Sequence, residues 1–264
     1  MRSRISTLLF LCLLMTGIVE GQSAFKFNAK RVSVGTVYHY AKTNVDGTKP
    51  ENISLYVATV DRIESFKFHE KGSRAGLVIA DMDWTIFSAK KLESWQVSSG
   101  DERKLFATLT YRAAEKAVEV SIPQMRPTSE FAKIEQLPFH LYNFDLASLN
   151  LSFPHLAVPR GNFTVGIADP TFNADGPMFA YRGELAVRYE KTEIRNGGKC
   201  RRYAASGTGI GGKGTIWVDK KKGYIRDMEF DVANNPDWST FKLRLIRTEK
   251  MSEREWKRFI AAQF

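Results

Sequence analysis

Cysteine is nearly missing from this sequence, with Cys12 and Cys200 the whole supply. Cys12 sits in an apolar N-terminal run, which leaves Cys200 alone in the body of the chain. An intramolecular disulfide and a Cys-x-x-Cys motif are therefore both excluded there. Long apolar runs are also missing beyond the N-terminus, where nothing approaches the roughly 20 residues of a spanning helix. The histidines His39, His69, His140 and His155 are scattered. They form no H-e-x-x-H pattern, and no G-x-S-x-G elbow occurs, so the common zinc-hydrolase and serine-hydrolase signatures are absent.

What is present begins with an export signal. Arg2 and Arg4 precede an apolar stretch from Ile5 to Val19, broken only by Ser6, Thr7, Thr16 and Gly17. That order is the layout of a secretory signal peptide, and the stretch is short for a membrane anchor. The small residues that follow place cleavage near Gly21, or as late as Ala24. Cys12 follows the bulky Leu11 inside the run, which argues against lipidation. The expected product is an exported periplasmic or extracellular chain with no transmembrane anchor after cleavage.

The whole chain carries a formal charge of +10. Outside the cytoplasm this charge suits anionic envelope surfaces, and nucleic acid is not the expected partner. The cations are dispersed among acids, and Lys220-Lys221-Lys222 is the one short run, in an expected turn. The 18 Phe, 9 Tyr and 5 Trp argue for a packed core rather than disorder.

Period-two alternation dominates the body. Leu185, Val187 and Tyr189 alternate with charged or small residues, and Asn196-Gly197 is a hairpin signal. Further strands are expected at residues 199–206, 215–219, 224–232 and 241–245. Ser252 and Glu255 form a capping box before Trp256, Phe259 and Ile260, so a helix ends the chain, packed on the sheet or closing a barrel end. Weaker alternation marks strands at 34–40, 53–60, 62–69, 76–82, 105–111 and 118–122. Residues 123–135 read as a loop, and the aromatic stretch 137–156 as irregular with a helical turn near Asp145 to Leu149. The fold class is mainly β: an antiparallel meander curled into an open or closed β-barrel-like sheet with a C-terminal capping helix. Residues 25–264 form one β-rich domain, or two similar meander halves (about 30–125 and 178–250) around the irregular segment.

Gly207 to Gly214 matches G-x-G-x-x-G and most of a P-loop, but it opens onto Thr215-Ile216-Trp217-Val218, which reads as a strand. Phosphate cradles of that kind need a helix N-terminus, so the stretch reads as backbone architecture. Asp81-x-Asp83 reads as a solvated turn, and Cys200 beside Arg201 and Arg202 as a passive thiol. No catalytic residue, metal ligand or cofactor is assigned.

Gly212-x-Gly214-Thr215-Ile216-Trp217-Val218-Asp219, a turn, and a long strand to Met251-Ser252-x-x-x-Trp256 resemble the ending of uncharacterised exported bacterial proteins. The architecture of those proteins is similar to that of the lipoprotein-localisation carriers. The resemblance covers about residues 180–260 and implies an open half-barrel that holds acyl chains. The lipid-anchored cysteine of membrane-bound members is lacking, and no functional residue carries across.

Three readings stay open. The first is an envelope protein binding an apolar or amphipathic ligand such as lipid, with Tyr38, Tyr40, Phe66, Phe68, Trp217, Tyr224, Phe230 and Phe241 as candidate walls. The second is a non-enzymatic structural or interaction protein of the envelope. The third is a hydrolase centred on His140, Asp145 and His155, which requires those side chains to converge.

Overall fold

The computed structural model describes residues 24–68, 74–141, 147–171, 175–232 and 238–264. The N-terminal apolar run with Cys12, the residues His69 and Asp145, and residues 234–237, which the sequence marks as a loop, lie outside the described residues. The chain runs through β1 (Thr36–Thr43), β2 (Glu51–Val57), β3 (Arg62–Phe68), β4 (Arg74–Asp83), β5 (Ser88–Ser98), β6 (Glu102–Arg112), β7 (Ala117–Ser121) and β8 (Glu130–Lys133). A short β9 (Phe139–Leu141) and helix α1 (Ala147–Ser152) follow. Then come β10 (Phe163–Pro170), β11 (Phe179–Arg195), β12 (Gly198–Gly207), β13 (Gly212–Asp219), β14 (Ile225–Phe230), β15 (Phe241–Lys250) and helix α2 (Glu253–Ala261).

The fifteen strands among the described residues form one open sheet, ordered β8-β7-β6-β5-β4-β3-β2-β1-β15-β14-β13-β12-β11-β10-β9. Two meanders are thus sewn together where β1 pairs antiparallel with β15, Thr36 opposite Lys250. Among the described residues only β9 and β10 run parallel. The Asn196-Gly197 turn has φ of 48° and 70°, as a two-residue hairpin requires. The glycine-rich stretch connects β12 to β13 with no helix after it, and Gly214 lies under the Phe230 ring where a Cβ would collide.

Alternation sorts side chains to two faces. On one face Tyr38, Tyr40, Ile53, Leu55, Val57 and Ile63 join the main apolar core. On the other, Val37, Tyr56, Phe66, Leu77 and Val97 pack under α2 through Trp256 and Ile260. The helix therefore lies on the sheet rather than over a barrel end. Its start is fixed by the expected box: Ser252 Oγ accepts from Glu255 N, and a Glu255 carboxylate oxygen accepts from Ser252 N at 2.7 Å. Trp256 stacks on Tyr56 at 5.1 Å and donates to Glu64 at 2.7 Å.

The stretch expected to be irregular fills the main face. Phe139, Leu141, Leu149, Phe153 and Leu156 are all buried there, with Phe25 beside them. Hydrogen bonds pin this plug to both walls. Phe139 N donates to Ser88 Oγ at 2.8 Å, and Ile225 N donates to Asn150 Oδ1 at 2.6 Å. The free edge at β8 is guarded. Arg126, just before β8, donates to Gly176 O at 2.6 Å, and Met178 N donates to Glu130 Oε2 at 2.7 Å.

The expected loop at 123–135 contains β8, and the expected helical turn falls at Ala147–Ser152. Strand β5 carries one extra residue, Lys90, where Asp81 and Met82 of β4 face Lys91 and Ala89, a bulge that shifts its phase; β6 and β11 carry the extra residues Phe106 and Arg182 opposite Ser94/Trp95 and Ile167/Ala168. No helix among the described residues is long and apolar enough to cross a membrane.

Candidate functional site

At one end of the curled sheet a cleft of about 700 Å³ opens beside the plug. It gathers stretches far apart in sequence: residues 30–38, the end of the plug at 151–159, Arg201, the turn 220–224 and the end of β15. The local folding of each explains the meeting. The N-terminal stretch is strapped to the plug, with Lys26 N donating to His155 O at 2.7 Å and Ala157 N to Ala24 O at 2.9 Å. Arg31 adds a side-chain bond to Pro154 O at 2.7 Å. The β13–β14 turn is held by Asp219, whose Oδ1 accepts from Lys221 N at 3.0 Å and Lys222 N at 2.8 Å, an Asx-turn. Gly223 then lets the turn press on the plug: its φ is +82°, and a Cβ there would stand 2.8 Å from Pro154 Cα.

The cleft is strongly cationic. Lys30, Arg31, Arg201, Lys220, Lys221, Lys222 and Lys250 line it against one carboxylate, Glu249. That carboxylate is already engaged by His39 at 2.7 Å and Arg247 at 2.8 Å. Neighbouring like charges with low-dielectric walls behind them sum to an anion-attracting field.

The wall is aromatic. Tyr38 and Tyr224 meet at 5.3 Å between ring centroids, and Trp84 and Phe153 complete the surface. Burial, with Tyr224 beside it, pushes the Tyr38 phenol up to about 12, and burial also raises Tyr224. Both are therefore neutral phenols at ordinary pH. His155, 1% exposed, accepts from Asn28 N at 3.1 Å through Nδ1. Burial and then the Arg31 charge push it down to about 4, so it is a neutral imidazole carrying its proton on Nε2.

The eight aromatic residues singled out by sequence do not share one surface. Tyr38, Tyr40, Tyr224, Phe230 and Phe241 belong to the main core, and of these only Tyr38 and Tyr224 reach the cleft. Tyr40 is sealed and donates to Ile225 O at 2.8 Å, while Phe230 stacks on Phe241 at 5.8 Å. Phe66 and Phe68 lie on the opposite face, edge-on to Phe259 of α2. Trp217 stands under the Arg195 guanidinium at 4.1 Å and donates to Glu193 at 2.6 Å.

Nor do the histidines pair. His140 is buried and bonds Ser148 Oγ through Nδ1 at 2.6 Å, whereas His155 serves the strap described above. No hydrogen bond links them, and Asp145 lies outside the described residues. No cluster of three or more His, Cys, Asp or Glu among the described residues could hold a metal ion. Asp83 caps its own turn by accepting from Thr85 N at 2.9 Å. Cys200 is buried, which raises its thiol.

One site residue lay in plain view. On residues 199–206 the apolar phase runs through Tyr203 and Ala205, and Arg201 shares that phase. An arginine on the inward face of a strand was the available signal.

No family model matches this sequence, and no curated protein does. Among solved structures, the chain is similar to a β-barrel-like protein of a domain of unknown function, DUF1849, from Brucella abortus. That similarity covers 84% of this chain and 100% of the other, at 9% identity and a TM-score of 0.42.

Proposed function

We propose that this chain is an exported, non-enzymatic envelope protein that binds an anionic amphipathic ligand, such as a lipid, at the mouth of its curled sheet. One observation carries the reading: a single cleft of about 700 Å³ joins a wall of Tyr38, Trp84, Phe153 and Tyr224 to a rim of lysines and arginines. Ligand sites commonly combine an apolar surface with a few orienting charges in this way, in clefts of roughly 300–1,000 Å³. The aromatic wall suits the first part of an alkyl chain and the rim suits its head group. The N-terminal signal pattern supports export.

The plug limits how deep a ligand goes. An inner cavity lined by Leu92, Phe106, Leu109, Ile122 and Met178 measures about 100 Å³, too little for a long acyl chain. The ligand therefore sits at the mouth.

Native mass spectrometry of the protein recovered from the exported fraction of its host tests this reading. A co-purifying anionic amphiphile is expected, together with quenching of Trp84 by brominated phosphatidylglycerol that is reduced in Trp84→Phe. Clean protein that also leaves brominated vesicles unquenched overturns the proposal.

A further inference from the structure

We propose that Arg201 is the anchor of an oxyanion subsite in this cleft, built for a phosphate group. The inference deepens the ligand reading above and rests on it. Arg201 faces inward from β12 beside Tyr203 and is 8% exposed. Its Nε is sealed from solvent with no hydrogen-bond partner, and no carboxylate among the described residues pairs with the guanidinium. The sealed Nε is shared with Arg202 and Arg226, but the lack of a carboxylate sets Arg201 apart from the other half-buried arginines of the same meander. Arg195 grips Asp227 and Glu229 at 2.6 Å each, Arg202 meets Glu190 at 2.9 Å, and Arg226 meets Asp219 at 3.3 Å.

A buried guanidinium is costly without a counter-charge, and it has no escape by losing its proton, as lysine or histidine has. The nearby acids are spoken for. Asp219 is used by the lysine turn and Arg226, Glu193 by Lys191 and Trp217, and Glu249 by His39 and Arg247. The other charges on the cleft are the six further cations named above, which worsen the cost instead of relieving it. The chain thus maintains a positive pocket that its own residues leave uncompensated. An oxyanion from outside supplies the missing charge. Phosphate fits best: the planar fork takes two of its oxygens, and ammonium groups such as those of the 220–222 turn act as point charges on the others.

The shared chemistry is an anionic phosphate with at least two non-bridging oxygens, which either a phospholipid head group or free phosphate supplies. The test uses the full mature protein at constant ionic strength. Inorganic phosphate is titrated calorimetrically, and vesicles of phosphatidylglycerol are compared with vesicles of phosphatidylcholine. Arg201→Met is expected to lose at least tenfold in affinity for whichever phosphate source binds. Its melting temperature in phosphate-free chloride buffer should match or exceed that of the parent, since a buried unpaired charge has been removed. Arg201→Lys should recover part of the affinity.

Binding of phosphate but not of vesicles supports this subsite and counts against the amphipathic reading. Phosphatidylglycerol binding that depends on Arg201 supports both. Vesicle binding undiminished in Arg201→Met overturns the subsite and leaves the amphipathic reading standing. Absence of all binding overturns both. A lowered melting temperature of Arg201→Met in phosphate-free buffer also overturns the subsite, because it assigns the arginine a structural role.

Discussion

Acid should weaken this fold well above the pH at which carboxylates titrate, and His140 and His155 set the size of the effect. Each is 1% exposed. Burial pushes His140 down to about 3, and burial with Arg31 pushes His155 down to about 4. The unfolded chain has both near 6.5. Between those values the unfolded state binds more protons, so stability falls as pH falls from about 6.5 toward 4. At pH 5 each unfolded histidine is almost fully protonated while its native counterpart is almost neutral. Relative to pH 7 that amounts to about 2 kcal/mol per residue and about 4 kcal/mol for the pair. His39, also held low by burial and Arg247, adds in the same direction. Against a typical stability of roughly 5–15 kcal/mol the loss is large.

Urea denaturation at pH 7 and pH 5 measures it, stopping at pH 5 so that carboxylates contribute little. His140→Asn keeps an acceptor for Ser148 near the Nδ1 position and removes the titration. The variant is expected to lose only about half as much stability over the same interval. A wild-type loss below about 1 kcal/mol, or an equal loss in His140→Asn, refutes the assignment of a buried neutral imidazole.

Three further outcomes are expected. Gly223→Ala forces a side chain into a left-handed backbone position and against Pro154, so it should cost about 1–3 kcal/mol in urea denaturation. It should also weaken phosphatidylglycerol vesicle binding by displacing the lysine turn. Trp256→Ala removes the side chain that spans Tyr56, Phe66 and Glu64, and should cost about 3–5 kcal/mol by the same measurement. Cys200, fully buried, should react with a thiol reagent only at the rate of unfolding; prompt labelling of the native protein would contradict its placement.

The second meander was legible because its strands spend charge on one face and apolar residues on the other. Met228 and Phe230 point in while Glu229 meets Lys242 and Arg195 outside. β5 was not legible, because the two faces bury different partners. Leu92 enters the main core, whereas Trp95 and Val97, an odd number of residues further on, pack on the opposite face under α2, so apolar residues fall in both phases of the strand. The plug was visible as an apolar anomaly, but its role was not. A stretch that fills a sheet's interior has no periodicity of its own to match. The cleft was hidden for a simpler reason: its cations come from four separate stretches, and nearly all of them look like solvated charges when read alone. Only Arg201 broke a local rule, and local rules are broken most often where a site requires it.

The plug also decides what kind of binding the proposed ligand can have. A half-barrel that stores acyl chains must offer an empty inner face, and here Leu149, Phe153 and Leu156 occupy it. Expelling them would strand the Phe139 and Ile225 amides, which bond Ser88 and Asn150. Each orphaned buried donor costs about 1–3 kcal/mol, before any loss of apolar contact is counted. A ligand shifts such an equilibrium only by its differential affinity for the open form. Binding at the mouth avoids that cost altogether. It grips the head group and the first part of the chain and leaves the rest outside, so charge contributes more than buried apolar area. Such binding is sensitive to salt, because exposed charges are screened over about 10 Å at 0.1 M ionic strength. On the proposed reading, then, the protein recognises a head group at a surface rather than sequestering a whole lipid. Phosphatidylglycerol vesicles should release it between 50 mM and 500 mM chloride, while retention at high salt would place the binding energy in a buried chain and require the plug to move.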